Sequence, residues 1–220
     1  MKKMIGMSMA MVGVIVILSA EVFAWGLPVK IGGGSQVDAK GLTDRSNQLM
    51  DSVATATEKL GLALADVYTM TGKNEEAIRL RQEMEALKAM TDRKLRSKSM
   101  ISTLDGSFNS MGKDGLKDAL KQVGKAMISQ VPIGSAVLNI TEAVKCDKDA
   151  VDQAKALAEE LKNAVKSASG NPALAMSLTD LKSALDAVLL IIDSVPRQVD
   201  HATRLATELR EFAQANGIAL

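Results

Sequence analysis

Apolar residues recur along most of the chain at alternating spacings of three and four, the pattern of amphipathic helices that pack along a seam. Strand-like alternation is nearly absent, and dipeptides typical of a tight hairpin, such as Asp105-Gly106, are few. We therefore predict an all-α fold. The two longest seams are Leu42, Ser46, Leu49, Val53, Ala56, Leu60, Ala63, Val67, Met70 and Leu174, Leu178, Leu181, Leu185, Val188, Ile192, Val195, Val199, Ala202, Ala206, Leu209, Ala213.

Glycine, proline and capping residues predict where the helices end. The first helix starts between Val37 and Thr43 and stops at Thr71-Gly72, and Asn74 is the predicted cap of the second. The other predicted segments are a second helix to about Leu104, a loop over 105–113, a helix over 114–128, a short apolar helix to Val144, a helix from Asp147 or Asp149 to Ser169, and a last helix from Asn171-Pro172 to about Gln214.

Pro196 lies inside the last seam without changing its register. Proline removes one backbone hydrogen bond, so we predict a kink near Ile192, with a split into two helices as the alternative. The expected architecture is an elongated antiparallel bundle of five to six amphipathic helices with coiled-coil-like seams, formed by one domain over residues 37–220.

Residues 64–78 resemble the central turn of a tetratricopeptide repeat, in which small residues, Tyr68, Gly72 and Ala77 set the packing of two antiparallel helices. No second copy follows at the spacing of about 34 residues that stacked repeats require. The segment is therefore predicted to be a helical hairpin and not part of a repeat array.

The first 24 residues have the pattern of a bacterial secretory signal peptide: Lys2 and Lys3, an apolar stretch over 4–20, and small residues before a predicted cleavage after Ala24. A retained membrane anchor is the alternative, but the apolar stretch is at the short limit for a span. Residues 25–36, with Gly32-Gly33-Gly34-Ser35, are predicted to be a flexible Gly-rich segment. We expect a periplasmic or secreted protein.

Composition and charge exclude several classes of function. The chain has 27 basic and 26 acidic residues, and loss of residues 1–24 leaves 25 of each, whereas nucleic-acid binding proteins usually carry a basic excess. One histidine and one cysteine cannot supply the usual catalytic triads, zinc sites or haem attachment motifs. We therefore predict no enzyme activity, no cofactor, no metal site and no nucleic-acid partner, and we interpret His201 as a surface residue.

Two features remain as candidate sites. Arg93, Lys94, Arg96 and Lys98 form a basic cluster that is placed late in the predicted second helix; it either complements the helix dipole or docks on an acidic partner or lipid headgroups. Cys146 has no partner cysteine in its own chain, so it is either a free thiol or an intermolecular disulfide.

The leading hypothesis is an exported non-enzymatic protein that acts through protein–protein contacts or self-association, as a scaffold, adaptor or chaperone-like module. The alternative is a secreted membrane-active or pore-forming protein that inserts a helical hairpin over residues 119–144. Polar residues such as Lys121, Lys125 and Glu142 interrupt that hairpin and favour an ordinary helix–loop–helix.

Overall fold

Helices make up almost all of the chain that the computed structural model describes, which is residues 38–112, 115–123, 133–170, 175–218 and 220. These ranges contain no strand, and the prediction of an all-α fold is confirmed. All of them belong to one compact unit, Gln36–Leu220. The helices are α1 (Ala39–Met70), α2 (Asn74–Lys88), α3 (Arg93–Met111), α4 (Gly115–Lys121), α5 (Ile133–Ser169) and α6 (Ala175–Ala215).

The first helix begins and ends where the sequence predicted. The Asp38 carboxylate accepts a hydrogen bond of 2.9 Å from the backbone N–H of Gly41 and so caps α1. After Thr71, Gly72 adopts φ +78°, a conformation that glycine reaches without strain, and the chain reverses into α2. Asn74 is the first residue of α2 and not its cap, because the cap position belongs to Lys73, whose side chain makes no capping bond.

The predicted second helix is divided in two, and residues 105–111 of the predicted loop after it are helical. The backbone leaves α2 after Lys88 and α3 begins at Arg93, where Asp92 caps the new helix by accepting a hydrogen bond of 2.9 Å from the backbone N–H of Leu95. Helix α3 then continues through Gly106 to Met111 because Phe108 and Met111 are buried in the core. Tertiary packing outweighs the weak helix propensity of 105–111.

The predicted break at Asp147 or Asp149 is also wrong, since α5 is continuous over 37 residues. The short apolar helix predicted up to Val144 is its first part, with Ile133, Ala136 and Ile140 buried. Likewise α6 passes through Pro196 without a split. The predicted leader, the segment 25–36 and the turn of the 119–144 hairpin at 124–132 lie outside the described residues.

Hydrogen bonds and ion pairs between helices define the directions in which they run. Helix α1 is antiparallel to α2 and α5 and parallel to α3 and α6. The contacts that establish this are Glu58–Lys88 and Asp66–Arg81 with α2, Arg45–Glu160 and Lys59–Glu142 with α5, Met50–Ser97 and Tyr68–Ser107 with α3, and Ser46–Ala184 and Thr57–Gln198 with α6.

The buried apolar side chains form two clusters, which we call the first and second core clusters. The first joins the C-terminal half of α1 with α2, α3, α4, the start of α5 and the end of α6. The second joins the N-terminal half of α1 with the rest of α5, the start of α6 and Ile101 of α3. The long seam of α1 supplies both clusters, and Ser46, its one polar member, is buried with its hydroxyl donating to the carbonyl of Ala184 at 3.1 Å.

Candidate functional site

The basic cluster lies at the beginning of α3, not late in a helix. Arg93 is the first residue of α3, so these cations lie at the positive end of the helix dipole, and the predicted dipole explanation is wrong. Asp51 of α1 supplies a negative charge next to these cations. Its carboxylate accepts hydrogen bonds from Arg93 Nε at 3.0 Å and from Arg96. The cluster therefore ties α3 to α1.

Two lysines complete the cluster. Lys94 Nζ contacts the Asp186 carboxylate of α6 at 3.3 Å, whereas Lys98 is exposed and has no ion pair with any residue in the described ranges. Three of the four predicted docking residues are thus engaged within the chain. Docking on an acidic partner or lipid through this cluster stays a prediction.

Cys146 lies in the middle of α5, half-buried against α1. Its Sγ is 3.8 Å from the carbonyl oxygen of Ser52, to which the thiol donates. Burial raises the pKa of the Cys146 thiol, and the neighbouring carboxylates of Asp147 and Asp149 raise it further. A raised pKa lowers the thiolate fraction and with it the reactivity of the sulfur.

The next residue, Asp147, belongs to a buried polar layer that the sequence analysis did not identify. Gln198 of α6 donates through Nε2 to Asp147 Oδ2 at 2.7 Å and to the Thr57 hydroxyl of α1 at 3.0 Å. The Thr57 hydroxyl donates in turn to the carbonyl of Val53 at 2.8 Å. All three side chains of this Thr57–Asp147–Gln198 layer are completely buried.

The layer lies near the junction of the two core clusters, and on α5 it separates them. On α5, Ala143 belongs to the first cluster and Ala150 to the second, with Asp147 between them. On α6, Gln198 lies among Val195 and Val199 of the second cluster and is followed by Ala202 of the first. Buried polar groups at such positions fix the register of packed helices, because any shift leaves them without partners.

The Asp147 carboxyl group is incompletely satisfied. Its Oδ1 has no hydrogen-bond partner among the described residues, and the one bond to Oδ2 comes from a neutral amide. Desolvation raises the pKa of Asp147 to about 7, although the hydrogen bond from Gln198 lowers it. Asp105, the other buried aspartate of the described core, has Arg197 at 3.0 Å as its counter-ion.

His201, predicted to be a surface residue, is partly exposed on α6 and also packs against α3. Its ring stacks on Phe108 with 5.1 Å between centroids and an interplanar angle of 13°, and its Nε2 is buried with no hydrogen-bond partner among the described residues. A cavity of about 20 Å³ adjoins the pair, which is room for one water molecule. Within the described ranges, no three His, Cys, Asp or Glu side chains are grouped so as to hold a metal ion.

Two large apolar side chains are exposed beside an ion pair that joins α1 to α5. Lys59 Nζ contacts Glu142 Oε2 at 2.9 Å, and Leu62 and Leu138 each lie one helical turn from that pair. Because α1 and α5 are antiparallel, both leucines lie in the same direction along the helix axes from the Lys59–Glu142 pair. Leu62 is 40% exposed and Leu138 58% exposed. We call these four residues the Leu62–Leu138 surface.

A wider depression of about 380 Å³ opens where α1 turns into α2 and faces α3. Its walls are polar, with Lys73, Glu75, Glu76 and Arg79 among the lining residues, and Lys73 Nζ lies 5.8 Å from the centroid of the Tyr68 ring. Ligand pockets are usually enclosed and apolar. This depression is neither.

No helix in the described ranges reaches the length and hydrophobicity that crossing a bilayer requires. The contacts described above join the long helices to one another and leave the Leu62–Leu138 surface without a partner among the described residues. Comparison of the chain with protein-family models, with curated proteins and with solved structures gave no match.

Proposed function

We propose that the chain is an exported, non-enzymatic helical protein that acts by binding another protein, as a scaffold, adaptor or chaperone-like module. In this proposal residues 1–24 direct export and are removed after Ala24, and residues 37–220 work as one elongated antiparallel bundle in the periplasm or outside the cell. The zero net charge calculated for residues 25–220 is consistent with a protein partner rather than a nucleic acid.

The Leu62–Leu138 surface is the observation that carries the proposal. Exposed leucines are ordinary one at a time, but two at the same level of neighbouring helices can be covered by one partner segment. Their exposed fractions of 40% and 58% contrast with the complete burial of Leu60 and Ile140, two residues away on the same helices. Because about half of each side chain is already buried, covering the two leucines with a partner would add about 1 kcal/mol for each side chain.

The surroundings of the two leucines indicate the kind of partner. Lys59 and Glu142 border the leucines with one charge of each sign. A partner helix with a narrow apolar stripe between charged residues matches that arrangement, because it covers the leucines and pairs with both charges at the edge. We therefore propose an amphipathic helix of a second protein as the occupant.

The test is crosslinking in cells of the full-length protein with a C-terminal tag, followed by fractionation and mass spectrometry. Wild type is compared with the double variant Leu62→Glu/Leu138→Glu and with Met176→Glu, which adds a charge at an apolar residue that is already 91% exposed. We expect one stoichiometric protein partner with wild type and Met176→Glu, and its loss in the double variant. Circular dichroism establishes that all three proteins are folded.

A partner that is retained by the folded double variant would contradict the proposed surface. Recovery in membranes with self-crosslinks alone would contradict partner binding altogether and support the membrane-active alternative. In that case leakage of dye from liposomes, compared between wild type and Ile133→Asp, would test insertion of residues 119–144.

A further inference from the structure

The Thr57–Asp147–Gln198 layer buries an ionisable group without a counter-ion at the junction of the two core clusters. Asp147 is completely buried and receives one hydrogen bond from a protein group of the described chain, the 2.7 Å bond from Gln198. When the carboxyl group is neutral, it carries no charge to desolvate, and it is buried with that bond between the apolar surfaces of α5 and α6. When it is ionised, a desolvated charge with a single neutral donor is costly, and the entry of water removes that cost.

The backbone of α6 is weakened at the same level. Pro196 precedes Gln198 by two residues and has no N–H to donate to the carbonyl of Ile192. The side of α5 that faces α1 offers a second weak point, because the half-buried Cys146 thiol makes only a long 3.8 Å contact with Ser52. Water can therefore reach Asp147 by a small separation of helices at this level.

Within the described ranges, no charged side chain pairs with the Asp147 carboxylate and so stabilises its ionised form. On α1, Lys59 is engaged with Glu142 at 2.9 Å, and Thr57 is neutral. On α6, Arg197 pairs with Asp105, and His201 stacks on Phe108, so both face α3. On α5 itself the adjacent groups are Cys146, Lys148 and Asp149, of which the last two are exposed.

We propose that the Thr57–Asp147–Gln198 layer is a proton-controlled switch, in which release of the Asp147 proton to solvent opens the contact of α5 with α1 and α6 around Cys146. In the closed form the neutral carboxyl group is hydrogen-bonded to Gln198, and the two core clusters are held in register. In the open form water solvates the carboxylate and the Cys146 thiol is accessible. Burial raises the pKa of Asp147 to about 7, so ionisation favours the open form increasingly as pH rises above neutral.

Cys146 is the single cysteine of the chain and therefore reports the opening in the full-length protein. The experiment measures the rate constant for labelling with iodoacetamide from about pH 5.5 to about pH 8.5, in wild type and in Asp147→Asn, and takes the ratio of the two rates at each pH. A carboxylate at 147 in a closed structure raises the pKa of the thiol, so without opening the ratio must fall below one as pH rises. With opening, we expect the ratio to rise about tenfold or more.

Asp149→Asn is the matched control, because the Asp149 carboxylate also raises the pKa of the Cys146 thiol but is exposed. If the faster labelling comes from the buried layer, the ratio of the wild-type rate constant to that of Asp149→Asn stays at or below one at every pH. A ratio of wild type to Asp147→Asn that falls with pH, or a rise that Asp149→Asn reproduces, overturns the proposal.

Hydrogen exchange of wild type, followed by mass spectrometry, keeps the proposal testable should Asp147→Asn fail to fold. After correction for the intrinsic effect of pH on exchange, we expect protection to drop above neutral pH in residues 140–155 and 192–204 and to persist in α2. Protection that is unchanged, or that is lost equally in α2, overturns the proposal, since the second result would indicate global unfolding.

Discussion

Gly61 of α1 lies against the side chain of Met84 of α2 so closely that a Cβ atom at position 61 would be 2.9 Å from Met84 Cγ. Met84 itself is buried in the first core cluster and has little room to move. The glycine is therefore required by the approach of α1 to α2, and not by backbone conformation.

A larger residue at this position should separate the two helices. We expect Gly61→Leu to lower the free energy of unfolding by about 2 kcal/mol, because overpacking outweighs the better helix propensity of leucine. Gly106→Leu is the control: it lies in α3 with open space around it, and there the same substitution should raise the free energy of unfolding by about 0.5–1 kcal/mol. Urea denaturation measures both, and equal effects of the two substitutions would contradict the close approach.

The buried carboxyl group of Asp147 predicts an unusual dependence of stability on pH. Because burial raises its pKa from 3.8 to about 7, the folded state binds more protons than the unfolded state between these values. The free energy of unfolding should therefore fall as pH rises from about 4 to about 8, with a contribution from this group of up to about 4 kcal/mol. The free energy of unfolding of Asp147→Asn should not fall in this way, so the variant should be the more stable protein at pH 8. Urea denaturation at several pH values measures the difference. A wild type that gains stability relative to the variant as pH rises would contradict the prediction.

Asp51 is predicted to be the most important carboxylate for the position of α3. Its removal in Asp51→Asn leaves Arg93 and the largely buried Arg96 without their shared partner, whose contacts span two helices. We expect a loss of about 1–2 kcal/mol in the free energy of unfolding, reduced at high salt. Asp152→Asn removes only a pairing with Lys155 within one helix and should cost less than about 0.5 kcal/mol. A loss for Asp51→Asn no larger than for Asp152→Asn would mean that the three-residue network contributes nothing.

Cys146 should react slowly in the folded protein. Its thiol is half-buried and its pKa is raised, so at about pH 5.5, where the Asp147 carboxyl group is protonated and the layer is closed, we expect alkylation to be at least about tenfold slower in buffer than in concentrated urea. The measurement is mass spectrometry of samples quenched over time. Equal rates in the two conditions would indicate a freely accessible thiol, and non-reducing gels of wild type against Cys146→Ser would then decide whether a disulfide-linked dimer forms.

The all-α fold class was predictable from the sequence, and so were the helix ends that are determined by local capping and turn residues. The seam of α1 is buried almost throughout, and Gly72 ends that helix with the positive φ that its sequence context indicates. The break between α2 and α3 had a signal that was overlooked: Asp92 precedes the basic residues and caps the second of the two helices.

Other features depend on partners far away in the sequence. Asp147 resembles an N-cap residue when only its neighbours are considered, but its hydrogen-bond donor is Gln198, 51 positions later. Arg93 and Arg96 resemble a free basic cluster until Asp51 of α1 is placed beside them. Side chains that are satisfied by tertiary contacts of this kind cannot be identified from local pattern, and for that reason the sequence misplaced a helix start at Asp147 and did not reveal that the basic cluster is paired.

The parallel packing of α1 and α6 also has a consequence for the order in which the protein is made. Ser46 and Ala184 meet across 138 positions of sequence, so the apolar seam of α1 leaves the ribosome long before α6 is available to cover it. In that interval α2 and α3 can shield part of α1 through nearby contacts such as Glu58–Lys88. The remainder of the seam stays open to contacts with other chains until α5 and then α6 have been made, so the growing chain has to carry an uncovered apolar surface through most of its synthesis.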